Sequence, residues 1–164
     1  MAKVAIDASQ SNQIARSSYL ECDALALMQG SPQVDRTNLN LDRSGKDLLK
    51  RLNLRSFLSS INRLCQNDRC HLDQLFPEYV SSNATVARYE SDDWLFIMEV
   101  VAAANLNDND TPDWIVWVVD EAKTGSYRSY FTLVIYDPSG ANELKAVMHP
   151  LAPTTNESLS VIVN

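Results

Sequence analysis

The sequence predicts an α+β fold in which N-terminal helices pack on a C-terminal antiparallel meander sheet of about five strands. Apolar residues at helical spacing dominate residues 10–80, whereas short runs of Val, Ile, Trp, Tyr and Phe dominate residues 83–150. The connections between those runs are too short for parallel crossovers, which need a dozen or more residues. A chain of 164 residues is the size of one domain, with the Ser/Thr/Asn-rich stretch 151–164 as a tail that could add an edge strand at 159–163.

The helical half is predicted from apolar periodicity and end signals. A first helix is expected between Ser11 and Gln29, where Gly30 and Pro32 follow it. Residues 34–41 are polar and form a connection. Residues 46–52 predict a short helix with Ser44 as its N-cap, because a serine hydroxyl can accept a bond from the first turn. A third helix is expected from about residue 54 to 65, and one more turn near residues 72–76.

The predicted strands are separated by turn chemistry such as Asp137-Pro-Ser-Gly140. The two strands that begin at Trp94 and Trp114 are apolar at nearly every residue, which predicts a central place with helices over one face and other packing on the second. The full set of predicted strands is Thr85–Tyr89, Trp94–Val101, Trp114–Val119, Tyr127–Tyr136 and Leu144–Met148.

Charge is unevenly distributed along this acidic chain. The net charge of -7 argues against a nucleic-acid partner, since such partners are met by basic surfaces. Residues 43–69 carry seven basic and two acidic side chains, whereas residues 90–121 carry nine acidic side chains and neither Lys nor Arg. Either the two regions pair with each other or are simply solvated, or the acidic region meets a basic partner, because such fields steer association.

Cysteine usage allows one local disulfide. Cys65 and Cys70 enclose four polar residues that a turn could fold, which would leave Cys22 as a buried thiol. Such a bridge indicates an oxidising compartment and an exported, periplasmic protein, and three free thiols in the cytoplasm are the alternative. The N-terminus lacks the apolar stretch of an intact signal peptide, and no apolar run approaches the ~20 residues of a membrane span.

The loop 105–113 is the clearest chemical feature of the sequence. Asn105, Asn107 and Asn109 alternate, and Asp113 follows directly before an apolar strand. Oxygen-bearing side chains at alternating positions can point toward one centre, which is the ligand type that Ca²⁺ prefers. Alternatively, such residues tolerate left-handed backbone and bond their own main chain, forming only a polar connection.

Residues 105–117 resemble the calcium loop of FG-GAP and VCBS repeat proteins, in which an Asp-x-Asn-Gly-Asp-Gly-x-x-Asp stretch precedes an apolar strand. The resemblance implies Ca²⁺ as a cofactor with Asn105, Asn107, Asn109 and Asp113 as its ligands. Three positions carry Asn, so Asp113 is the only charged ligand in that register, and Asp108 and Asp110 replace the glycines. A shifted register would use Asp108, Asp110 and Asp113. The likeness is local, because nothing in this chain repeats as those propellers do.

Catalytic motifs are sparse. His71 and His149 are the only imidazoles, and Ser139 lies in a turn sequence rather than in the nucleophile elbow of hydrolases. A small hydrolase that uses the carboxylates of Asp92, Asp113 and Asp120 is the third functional hypothesis, after a binding protein and a calcium module.

The leading hypothesis is a non-catalytic acidic binding protein that recognises a basic protein partner, with the profile of a bacterial immunity or inhibitor protein that blocks a toxin or hydrolase. Its mechanism would insert the loop 105–113, with Asp120 and Glu121 beside it, into a basic cleft. Alternation predicts Tyr127 and Ser129 on one sheet face and Arg128 and Tyr130 on the other. The expected partner-binding residues are Asp108, Asp110, Asp120, Glu121, Tyr127, Arg128 and Tyr130.

Overall fold

A computed structural model describes residues 20–29, 31, 41–68 and 70–149. Helix α1 covers residues 20–29, α2 covers Ser44–Arg51 and α3 covers Leu72–Leu75, with 3-10 turns at Leu54–Ser56 and Asn62–Leu64 between the last two. Six strands follow in one antiparallel sheet, in which every strand pairs with its neighbours in sequence. The strands are β1 (Val80–Ser82), β2 (Val86–Glu90), β3 (Trp94–Ala104), β4 (Asp113–Ala122), β5 (Arg128–Ile135) and β6 (Ala146–His149).

This architecture confirms the predicted α+β class and the antiparallel meander. The sheet has six strands rather than about five, because the three-residue β1 extends the hairpin that β2 begins. The short helix and the last helical turn are present as α2 and α3. The first part of the predicted N-terminal helix (residues 11–19), the connection 32–40 and the tail 151–164 lie outside the described residues.

The main core lies between one face of the sheet and the segment 44–76. Register pairs Phe96 with Asp120, Met98 with Val118 and Val100 with Val116, so these side chains share that face. Leu48, Leu52, Leu54, Ile61 and Leu72 pack against it, all at most 2% exposed. A β-bulge between Val100 and Ala102 shifts the register near the end of β3. We call this surface the core face.

Helix α1 lies against the opposite face. The Thr132 side chain points to that face, because its register partner is Trp117, and its hydroxyl lies 3.5 Å from the Asp23 carboxylate of α1. The helices therefore divide between the two faces, whereas the sequence predicted helices over only one. Strand β4 is apolar at nearly every residue because both of its faces are at least partly covered.

Residues 54–65 do not form the predicted helix, even though Phe57, Ile61 and Leu64 have helical spacing. The side chain of Asn53 accepts a bond from the Arg55 amide and starts a 3-10 turn, and the Ser60 amide donates to the Asp120 carboxylate instead of to a helical carbonyl. Short polar side chains compete in this way with helical bonding. The consequence is an irregular segment that leaves Leu64 50% exposed.

The predicted cap of α2 is also wrong. Arg43 occupies the N-cap position, and Ser44 is the first helical residue. The Ser44 hydroxyl donates to the carbonyls of Leu41 and Ala84, at 2.9 and 3.2 Å, instead of accepting from the first turn. Ser44 thus joins α2 to the turn before β2, because a second acceptor lies within reach there.

The Cys65–Cys70 disulfide is present, as predicted. Cys70 is buried and its carbonyl accepts the Leu54 amide at 2.9 Å, so the bridge holds the irregular segment against the core. Closing so short a loop stabilises the fold by about 2 kcal/mol in the chain-entropy treatment. Cys22 is exposed on α1, which corrects the expectation of a buried thiol. Within the described residues, no helix is long and apolar enough to cross a membrane.

Gly45 is required by the closest approach of α2 to the sheet. A Cβ atom at this position would lie 2.4 Å from the Asn83 carbonyl oxygen, and 2.5 and 2.7 Å from the backbone oxygen and nitrogen of Val86. These neighbours are backbone atoms, which cannot rotate away. The Gly45 amide also donates to the Ala84 carbonyl at 2.9 Å.

We expect Gly45→Ala to lower the free energy of unfolding by about 3 kcal/mol, because the added methyl group overpacks rigid backbone. Urea unfolding followed by tryptophan fluorescence measures the change. Gly140→Ala is the matched control, since the nearest atom to its Cβ would be 3.9 Å away. Equal effects from the two substitutions would contradict the role assigned to Gly45.

Candidate functional site

Two buried carboxylates mark the two ends of β4. Asp113 and Asp120 are both 0% exposed, although carboxylates are rarely buried without partners. They are seven residues apart, which places them on opposite faces and about 23 Å from each other along the strand. Each one fixes a different set of loops, so the sheet has two chemically distinct ends.

Asp120 is the anchor of the end formed by the β2–β3 and β4–β5 turns. Its Oδ1 accepts bonds from the Ser60 hydroxyl at 2.5 Å and the Trp94 indole nitrogen at 2.8 Å. Its Oδ2 accepts bonds from the Ser60 amide at 2.8 Å and the Tyr127 hydroxyl at 3.2 Å. Four donors compensate for the lost hydration of the carboxylate, which makes its burial tolerable.

Asp113 has the corresponding role at the other end. One of its oxygens accepts the Leu106 amide and the other accepts the Asp137 amide, both at 2.9 Å. The β3–β4 loop and the residue that follows β5 are therefore held by one side chain. The Asn109 amide group adds a second link between them, because it donates to the Asp137 carboxylate at 2.6 Å.

The interior of the loop 105–113 is organised by side chains that bond their own main chain. Asn107 accepts from the Asn109 amide at 3.3 Å, and Asn109 accepts from the Thr111 amide at 3.0 Å. Asp108 and Asp110 adopt left-handed backbone, with φ of 57° and 63°. Asp is one of the few residue types that tolerates this conformation, and both carboxylates are exposed to solvent.

Asn105 has an unsatisfied atom at the base of the same loop. The residue is only 6% exposed, and its side-chain oxygen has no hydrogen-bond partner among the described residues. A buried amide oxygen without a donor costs free energy, so it is a position where a water molecule or a cation would be stabilised. Of the four predicted metal ligands, Asn105 is the one whose side-chain oxygen is buried and accepts no hydrogen bond from the described residues.

The predicted partner-binding residues are divided between the two ends. Asp108 and Asp110 lie at the Asp113 end, and Glu121 and Tyr127 lie at the Asp120 end. Asp120 itself is buried and fully engaged, so it does not stand beside the loop 105–113 on one surface. The carboxylates of Asp92, Asp113 and Asp120 are likewise not brought together into one cluster.

The predicted alternation of β5 is confirmed. Tyr127 reaches Asp120 on the core face, whereas Arg128 and Tyr130 both reach Glu121 on the opposite face. The Arg128 Nε atom lies 3.8 Å from the Glu121 carboxylate. Glu121 therefore sits between two donors and is only partly exposed.

Several charged side chains form ion pairs within the described chain, and His71 lies 3.4 Å from the Glu143 carboxylate. Arg51 pairs with Asp47, Arg128 with Glu121, and both Arg88 and Lys123 with Glu90. None of the described pairs joins the basic segment 43–69 to the acidic segment 90–121. The Lys123 and Arg88 side chains hold the pKa of the half-exposed Glu90 below its usual range.

Sequence reasoning did not find Ser60 and Trp94 as partners of Asp120. One signal was available, because Asp120 continues the alternating series Trp114, Val116 and Val118 that faces the core. An acidic residue in a core-facing register needs several donors. Which donors supply those bonds depends on the long-range packing of residues 57–64, and no local pattern encodes that packing.

Tyr127 allows the Asp120 cluster to be tested by pH. Burial, and then the nearby Asp120 charge, raise the pKa of the Tyr127 hydroxyl above its ordinary value of about 10. A raised pKa means that the folded state favours the protonated phenol. Its contribution to stability is complete below the unfolded-state pKa and is lost as pH rises through the folded-state pKa.

We therefore expect Tyr127→Phe to reduce the free energy of unfolding by about 1 kcal/mol near neutral pH, through loss of one hydrogen bond to a carboxylate. The difference from the unsubstituted protein should shrink above about pH 10. Urea unfolding at several pH values, with ultraviolet titration of tyrosinate, measures both effects. Tyr136→Phe is the control, since Tyr136 is similarly exposed and lies outside the cluster. If the difference in free energy of unfolding stays constant from neutral pH to above about pH 10, the role assigned to the Tyr127 hydroxyl is wrong.

No protein-family model, curated protein or solved structure matches this chain. Resemblance therefore assigns neither family nor activity, and the functional argument rests on the contacts at the two ends of β4.

Proposed function

We propose that this protein is a non-catalytic binding protein that recognises a basic protein partner through the Asp113 end of its sheet. The observation that carries the proposal is the pair of exposed carboxylates at Asp108 and Asp110, held on left-handed backbone by bonds inside a loop that Asp113 fixes. Charges in fixed positions at an exposed loop steer a partner of opposite charge without an ordering cost on binding.

The class of activity that fits best is inhibition of another protein, as in an immunity protein that occludes a basic cleft. The net charge of -7 supports this class. The ion pairs of the described residues do not involve Asp108 or Asp110, so both carboxylates can contact a partner. The Cys65–Cys70 disulfide supports placing that activity in an oxidising, exported compartment.

The test is binding kinetics after the partner is captured on immobilised protein and identified by mass spectrometry. We expect the double variant Asp108→Asn with Asp110→Asn to lower the association rate constant about tenfold at low salt, because loop charges mainly affect encounter. Asparagine keeps the shape and tolerates the left-handed backbone. The expected difference also narrows as salt rises, since the interaction is screened.

The matched control is Glu78→Gln with Asp92→Asn, which removes two exposed negative charges elsewhere on the surface. If both double variants slow association equally, the effect belongs to net charge rather than to this loop. If neither slows association, the Asp113 end is not the contact surface.

A second function is calcium binding by the same loop, and the unsatisfied oxygen of the buried Asn105 favours it. Asn107, Asn109 and Asp113 would complete the ligand set, because oxygens that accept one amide retain a second lone pair. With Asp113 as the one carboxylate in that register, the affinity would be modest, since ligand charge sets much of it.

For this second function we expect a Ca²⁺-specific rise in the melting temperature of chelator-treated protein, equivalent to about 2.7 kcal/mol at a hundredfold excess over Kd. Asn105→Ala should abolish the rise, whereas Asp92→Asn should retain it. Mg²⁺ is the ionic control. An equal response to both ions, or none to Ca²⁺, would leave the loop as a polar connection.

A further inference from the structure

A second candidate binding site lies at the opposite end of the sheet from the loop 105–113. An open depression of about 230 Å³ is bounded by residues 60–64, the end of α3 and the β2–β3 turn. We call it the aromatic groove. Among the residues that line it, we call the buried and half-buried Ile61, Phe76, Tyr89 and Trp94 its floor, and the exposed charged residues Arg63 and Asp93 its rim.

The floor of the aromatic groove is preformed. The rings of Phe76 and Tyr89 are stacked, with centroids 3.9 Å apart and an interplanar angle of 14°. The Trp94 indole is fixed from behind by its bond to Asp120, and Ile61 is only 2% exposed. An apolar ligand would therefore meet ordered rings and would pay little to rearrange them.

The rim carries one charge of each sign. Arg63 and Asp93 are both exposed and form no ion pair with each other in the described chain. The Arg63 Nε donates to the Ser60 carbonyl at 3.0 Å, so the terminal nitrogens of the guanidinium group are not used in that bond. Among the described residues, the Asp93 carboxylate accepts a single long contact of 3.5 Å, from the Thr124 hydroxyl.

We propose that the aromatic groove binds a free amino acid with an apolar or aromatic side chain. The side chain would lie on the rings of the floor, the α-carboxylate would bind Arg63, and the α-ammonium would bind Asp93. A volume of about 230 Å³ is below the ~300–1,000 Å³ of sites for drug-sized ligands, so it suits a single side chain. Only a free amino acid carries both charges on the carbon that bears that side chain.

The ligand chemistry can be tested with truncated analogues. Isotope-labelled protein is titrated with phenylalanine, with phenethylamine, which lacks the carboxylate, and with 3-phenylpropionate, which lacks the ammonium group. We expect saturable shifts of the Trp94 indole signal with phenylalanine, and about fivefold weaker binding for each analogue, the effect of losing one exposed ionic contact. Glycine, which lacks the side chain, should not bind measurably.

Two charge variants assign each end of the ligand. Arg63→Gln should weaken phenylalanine binding about fivefold and leave phenethylamine binding unchanged, because the amine has no carboxylate to lose. Asp93→Asn should likewise weaken phenylalanine binding about fivefold, and it should leave the binding of 3-phenylpropionate unchanged, because that analogue has no ammonium group. Arg55→Gln and Asp92→Asn are the matched controls, since both are exposed and Arg55 also bonds a backbone carbonyl, that of Asn67.

Several outcomes would overturn the proposal. They are the absence of saturable shifts with millimolar amino acids, equal binding of phenylalanine and both analogues, and unchanged affinity in both rim variants. A neutral sugar that binds more tightly than phenylalanine would assign the groove to another ligand class. These outcomes do not bear on the function proposed for the loop 105–113, because neither Arg63 nor Asp93 belongs to that loop.

Discussion

The buried carboxylate of Asp120 is the interaction on which the helical side of the fold depends. Residues 57–64 have too many short polar side chains to hold a regular helix, so their position must be fixed by tertiary contacts. Asp120 supplies this constraint by accepting both the amide and the hydroxyl of Ser60. The same carboxylate orients Trp94 and Tyr127, whose rings lie 5.4 Å apart. One charge therefore determines the irregular segment and the shape of the aromatic groove.

Asp113 shows the same principle with a different result. Its donors are backbone amides of two loops, so it fixes chain paths rather than aromatic side chains. A buried charge is costly when any of its partners is removed, which makes both sites specific for one local arrangement. Because the two carboxylates lie on opposite faces of β4, the rigid elements of each end are set independently. Charges exposed on those elements, such as Asp108 and Arg63, take positions that the buried charges determine.

The sequence predicted those parts of the fold that local patterns encode. Alternation located β2 to β5, apolar periodicity located α2, and the spacing of Cys65 and Cys70 indicated the disulfide. It failed where a distant group changes the local preference. The amide of Ser60 bonds Asp120, and the hydroxyl of Ser44 bonds the Ala84 carbonyl, so neither residue behaves as its neighbours in sequence suggest. The loop 105–113 was singled out from its residue types, whereas the aromatic groove was not, because the residues that line it come from three separate segments.

The proposed binding role uses the exposed carboxylates of this protein rather than its buried ones. Acid–base catalysis by a pair of carboxylates needs both of them near one reacting atom, with environments that set their protonation apart. Here the two buried carboxylates are separated by most of a strand, and each accepts hydrogen bonds from groups that fix the surrounding loops. The exposed carboxylates of Asp108 and Asp110 lie on a loop whose backbone is already fixed, so ordering this loop on binding costs little conformational entropy. The ordering cost is small for the aromatic groove for the same reason, because its rings are held in place by contacts within the protein. The two proposals thus concern surfaces at opposite ends of one sheet, and each surface takes its shape from a different buried carboxylate.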